Sequence, residues 1–166
     1  MGDGGPEMKP NVSRLRGWTC AAGLLLLLAP GASACRDKDV LTFSFANMAE
    51  VRAAGADARD IPGRIPEGAH DIRAAHDPDS HRRWGLFNFG PNDADALRAM
   101  LKSEEVSLAG VDCDIPGRVE WWPVILRGQV NAEQAKLAGL NAYRSVEGNL
   151  LFVVHWKQGR AYYWGS

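Results

Sequence analysis

The densest group of metal-ligand side-chain types in the chain is His70, His76 and His81 with Asp71, Asp77 and Asp79. A hairpin would bring His76 and His81 together across its turn. The run Asp77-Pro78-Asp79-Ser80-His81-Arg82 lacks the Gly and the terminal Glu of a calcium loop, however, and Arg82-Arg83 would repel a cation. These residues therefore read as a solvated turn, and no metal is expected. Cys113 and His155 have the residue types of a nucleophile and its base, but no third-member motif accompanies them. The chain has no G-x-S-x-G, H-E-x-x-H, phosphate-binding loop or dinucleotide fingerprint. Glu104-Glu105 reads as an exposed pair after a helix. No catalytic residue and no cofactor is assigned.

Two other patterns suit binding rather than catalysis. Asp60-Ile61-Pro62-Gly63-Arg64-Ile65 recurs almost unchanged as Asp114-Ile115-Pro116-Gly117-Arg118-Val119. Pro followed by Gly would set a type II turn twice, since Pro fixes the first central residue and Gly takes positive φ at the second. As a pair of Arg-bearing loops, Arg64 and Arg118 would converge on an anion. Trp121-Trp122-Pro123 and Tyr162-Tyr163-Trp164 place aromatics side by side, and adjacent residues of an extended chain face opposite ways. Either the set is buried under a helix, or Trp121, Trp122, Tyr163 and Trp164 leave aromatic area exposed for a protein, peptide or glycan.

The elements that would position these groups follow from periodicity and punctuation. Asn47 to Glu50 has the spacing of a helix start, with Asn47 as cap and Glu50 reaching back, and Gly55 ends a short helix over 47–54. Pro62, Gly63, Pro66 and Gly68 make 57–69 a turn-rich loop. Asp71–His76 and Arg83–Phe89 form a hairpin about the Asp77–Ser80 turn, with Trp84 and Leu86 on one face and Phe87 and Phe89 on the other. Leu97, Met100 and Leu101 mark a helix over Asn92–Lys102, and a weaker pattern marks another over Asn131–Leu140. Ala142–Val146, Leu150–Lys157 and Arg160–Trp164 alternate as a C-terminal meander. The pattern predicts an α+β fold: a single small domain, with an antiparallel sheet and one or two helices packed on a face.

With 19 Lys+Arg against 20 Asp+Glu in 166 residues, the near-neutral balance gives no reason to expect nucleic acid as a partner. The 46% hydrophobic content excludes a disordered chain. Basic Lys9, Arg14 and Arg16 precede the apolar run Trp18–Ala29; Pro30-Gly31 then breaks it, and Ala32-Ser33-Ala34 supplies small residues for cleavage. This is the pattern of a secretory signal peptide over residues 1–34, leaving a domain over 35–166. The apolar run would span roughly 18 Å as a helix, short of a ~30 Å hydrocarbon core. A start at Met8 would remove Asp3 and Glu7 from a region that is ordinarily positive.

Cleavage after Ala34 leaves Cys35 and Cys113. In an oxidising compartment the two would form one disulfide. Alternatively, Ala32-Ser33-Ala34-Cys35 serves as a lipobox and Cys35 carries diacylglycerol, making a lipid on Cys35 the one membrane attachment.

The run Phe45-Ala46-Asn47-Met48-Ala49-Glu50-Val51-Arg52-Ala53-Ala54-Gly55, then Ile61-Pro62 and Ile65-Pro66-Glu67-Gly68-Ala69-His70-Asp71-Ile72, resembles the start of the YbbD-like head domain of bacterial envelope proteins. His76-Asp77-Pro78-Asp79 and Trp84-Gly85-Leu86-Phe87-Asn88-Phe89 stand where that family has an H-D-x-D turn and an aromatic strand. Asp60-Ile61 departs from its usual Gly-Trp pair, and Ile65 from its usual Leu. The resemblance implies an envelope location, favours a lipoprotein, and assigns no catalytic residue. The expectation is a non-enzymatic exported module, periplasmic or membrane-anchored, that binds a protein, peptide or glycan. The alternative is a small secreted hydrolase or enzyme inhibitor.

Overall fold

The computed structural model describes residues 40–55 and 61–165. The signal segment, Cys35 and Asp60 lie outside the described residues. Within them the chain runs β1 (Leu41–Asn47), α1 (Met48–Ala53), β2 (His70–His76), β3 (Arg83–Asn88), α2 (Ala94–Met100), β4 (Leu101–Glu105), β5 (Asp112–Cys113), β6 (Gly128–Gln129), α3 (Ala132–Leu137), β7 (Asn141–Ser145), β8 (Leu150–His155) and β9 (Arg160–Gly165). Seven strands make one antiparallel sheet in the order β1-β2-β3-β9-β8-β7-β4, while β5 and β6 pair separately. The fold is α+β, with modest helix content beside a dominant sheet.

Alternation along the central strands sends side chains into two cores. Phe87 on β3, Leu150, Phe152 and Val154 on β8, and Tyr163 on β9 pack on one face with Val51 of α1, Ile61 and Ile65 of the preceding loop, and Leu97 and Met100 of α2. Trp84, Leu86, Leu151, Val153, Tyr162 and Trp164 point to the other face. That second face is covered by the chain from 106 to 140, which contributes Leu108, Cys113, Val119, Trp122, Leu126, Val130 and Ala135. The expectation of helices on one face thus accounts for half of the burial. A largely irregular layer closes the rest, which is why β8 is apolar along almost its whole length.

Local signals explain the short elements. Asn47 Oδ1 accepts from the Glu50 amide at 3.1 Å, and Glu50 Oε2 accepts from the Ala46 amide at 2.7 Å, fixing the start of α1. Asp77 is buried and organises the β2–β3 turn, accepting from the Asp79 amide (3.0 Å), the Ser80 amide (3.3 Å) and the Ser80 hydroxyl (2.7 Å). The helix expected over 92–102 is shorter. A single 3₁₀ turn, Pro91–Asp93, precedes α2, and Leu101 is already extended at φ −103° and ψ 148°. Leu101 is buried in the first core from a strand, and a single apolar residue at that spacing fits a helix end or a strand start equally well. Asp93 does not cap α2; its carboxylate accepts from the Gly68 and Gly90 amides, both at 3.2 Å, tying the loop before β2 to the helix entry.

Both Pro-Gly turns form, one residue out of the expected register. The Ile65 amide donates to the Pro62 carbonyl and the Val119 amide to the Pro116 carbonyl, so Pro holds the first corner of each turn and Gly-Arg the centre. Neither Gly63 nor Gly117 has positive φ, which corrects the type II expectation. Ile65 enters the first core and Val119 the second, so the turns flank opposite faces of the sheet.

Candidate ligand-binding cleft

Because of that placement, exposed Arg64 and exposed Arg118 do not converge on one anion. The aromatic surface also contracts. Trp122, Tyr163 and Trp164 are buried, and Trp121 alone of the four is half-exposed. Trp122 donates from Nε1 to the Leu126 carbonyl at 3.0 Å and meets Tyr162 and Trp164 edge to face. Tyr163 lies between Phe87 and Phe152 in the first core. Only Tyr163 shares a core with α2; the indoles of Trp122 and Trp164 sit across the sheet from it.

Cys113 carries a free thiol buried in the second core. Burial, with Asp112 and Asp114 adjoining, pushes it from 9.0 up to about 12, against the opposing pull of Arg127 and Arg82. A thiol so hard to ionise is a poor nucleophile at neutral pH. His155 is not among the groups that act on it; its Nδ1 instead accepts from the Gln158 amide at 3.2 Å. His70 and His81 are exposed, His76 is half-buried, and among the described residues no three His, Cys, Asp or Glu side chains are grouped to hold a metal ion.

A cleft that periodicity did not reveal lies at the rim of the first core. It is lined by Arg98, Leu101, Lys102, Ser103, Tyr143 and Trp156. Its opening follows from the irregular β4–β7 pair. Leu101 is paired with Ser145 and Glu105 with Tyr143, so β4 has two more residues than β7 between those points. Lys102 and Ser103 fall in this bulged stretch and are exposed. Trp156, just beyond β8, donates from Nε1 to the Tyr143 hydroxyl at 3.2 Å and packs edge to face on Phe89 and Tyr143. Arg98, in the last turn of α2, lays its guanidinium over the Trp156 ring at 4.1 Å. No acidic residue lines this cleft. Other hollows carry both signs: Arg64 with Glu147, Lys136 with Glu105, and Arg82 with Asp112 and Asp114.

No family model, curated protein or solved structure matches the chain. No helix among the described residues is long and apolar enough to cross a membrane.

Proposed function

We propose that the chain is an exported, envelope-associated binding module without catalytic activity, of the YbbD-like head-domain kind, and that it takes its ligand in the Arg98–Trp156 cleft. The observation that carries this reading is the cleft: a guanidinium held on an indole, a second cation and two hydroxyls line a hollow without a carboxylate. The suppressed ionisation of Cys113 supports binding over thiol chemistry.

Fractionation and ligand panels test the two halves. The intact chain should be recovered from the envelope, and deletion of Lys9–Ala34 should leave it in the cytoplasm. Intact mass decides the fate of Cys35: a diacylglyceryl group marks the lipid, and a loss of about 2 Da from the reduced chain marks a bridge to Cys113. Envelope-type glycans or peptides should raise the thermal midpoint of the wild type, but not that of the Arg98→Ala/Lys102→Ala double variant. Turnover of an ester, glycoside or peptide substrate, lost on one substitution in 35–166, would overturn the reading in favour of a hydrolase.

A further inference from the structure

We infer that the ligand of this cleft is a carboxylate-bearing saccharide, a uronic acid unit within an acidic glycan; this rests on the binding-module reading and deepens it. Charge is the first ground. The lining holds Arg98 and Lys102 and no acid, although the whole chain is slightly acidic at −1. Attraction for an anion is therefore local to this cleft and not a property of the molecule at large.

Geometry is the second ground. The Arg98 guanidinium is held over the indole, 4.1 Å from its centroid, and is a fork of N–H donors of which a carboxylate can accept two. Its contact with the ring also removes part of the side-chain entropy that binding would otherwise cost. The third ground is the mixture of neighbouring groups. Tyr143 uses its oxygen to accept from Trp156 Nε1, which leaves its own proton to donate, and Ser103 adds a second hydroxyl. Buried Leu101 and the half-buried Tyr143 ring supply an apolar wall. A sugar ring offers the matching set of one C–H face, several hydroxyls and, in a uronate, a planar anion. Inorganic phosphate would use the cations and leave the wall unused. An acidic peptide would use the cations without a ring face.

The test is titration of the full exported chain with tetragalacturonate, an uncharged maltotetraose control, inorganic phosphate and a tetraglutamate peptide. Isothermal calorimetry reads affinity, and the Trp156 indole N–H resonance reports the place of binding. Tetragalacturonate should bind, shift that resonance, and weaken as salt is raised. Arg98→Ala and Lys102→Ala should each weaken it about five- to tenfold. Arg98→Lys should not restore the fork, and Tyr143→Phe should lose a smaller factor while keeping the fold. Equal binding of maltotetraose, indifferent to Arg98→Ala, overturns the acidic ligand but leaves a glycan-binding module standing. Equal or tighter binding of phosphate or tetraglutamate overturns the saccharide and leaves an anion-binding module. If tetragalacturonate does not bind, the inference fails; if the wider ligand panel also fails, so does the module reading.

Discussion

Gly85 and Tyr163 face each other across the β3–β9 pair, and the Tyr163 phenol ring lies over Gly85 in the space where a β-carbon would project. The ring is buried, between Phe87 and Phe152. A glycine inside a strand is ordinarily a weakness, having no side chain to pack. Here its missing β-carbon is what lets a bulky aromatic lie flat on the sheet.

Gly85→Ala should therefore destabilise the fold by about 1–3 kcal/mol through overpacking. Shortening the partner should relieve it. The Gly85→Ala/Tyr163→Val double variant should lose clearly less than the sum of its two single changes in denaturant titration. Strict additivity would mean that the ring does not occupy the space above Gly85.

The two-core arrangement gives a second prediction. Leu97 under α2 and Leu126 in the layer on the opposite face are both fully buried. Leu97→Ala and Leu126→Ala should each cost about 2–5 kcal/mol. With the sheet between them they should add to within about 0.5 kcal/mol in the double variant. A negligible cost at Leu126 would show that the irregular layer is not packed on the sheet.

These relationships were unevenly legible beforehand. Leu150, Phe152 and Val154 against Leu151 and Val153 announce their two faces through period-2 alternation, and they divide between the two cores accordingly. The covering of the second face was not legible, because Leu108, Cys113, Val119, Trp122, Leu126 and Val130 sit in turns and very short strands without a common period. Leu41, Phe43 and Phe45 do alternate with Thr42 and Ser44, so β1 had a signal; β4, with only Leu101 buried, had none. The cleft was invisible for a different reason. Arg98 and Trp156 meet only because α2 and the end of β8 pack on the same face, and no spacing along the chain encodes that meeting. Burial and exposure both remain open for Trp122, Tyr163 and Trp164 at the level of sequence, because residue type does not say how much cover the far face receives.

Cys113 supplies a prediction in pH. Its thiol is raised from 9.0 to about 12 by burial and the neighbouring aspartates. Between those values the unfolded chain releases its proton and the native chain retains it, so the native state binds more protons. Stability from this group is therefore complete below pH 9 and falls as pH rises towards 12, by at most about 1.4 kcal/mol per pH unit. The difference in unfolding free energy between wild type and Cys113→Ala should carry this slope, since other groups titrate alike in both. A thiol reagent at pH 8 should modify Cys113 only after unfolding. Rapid reaction of the native protein would refute the burial.

The Pro-Gly turns provide the last prediction, because their two registers give opposite signs. A type II turn with Gly at its positive-φ position would make Ala costly at Gly63 and Gly117. In the structure both glycines have ordinary φ, and nothing lies within 4 Å of where a β-carbon would stand. Gly63→Ala and Gly117→Ala should then leave stability unchanged or raise it by about 0.4–1 kcal/mol, since Ala narrows the unfolded ensemble without native strain. Gly159 is the internal contrast. It has φ of +63°, its carbonyl accepts from the Phe89 amide at 2.7 Å, and an added β-carbon would collide with the Phe89 carbonyl oxygen. Backbone cannot swing aside as a side chain can, so Gly159→Ala should lose more than about 1 kcal/mol. Thermal midpoints of the three single variants decide the matter: a drop at Gly63 or Gly117 comparable to that at Gly159 would restore the type II turns and overturn the register described for them.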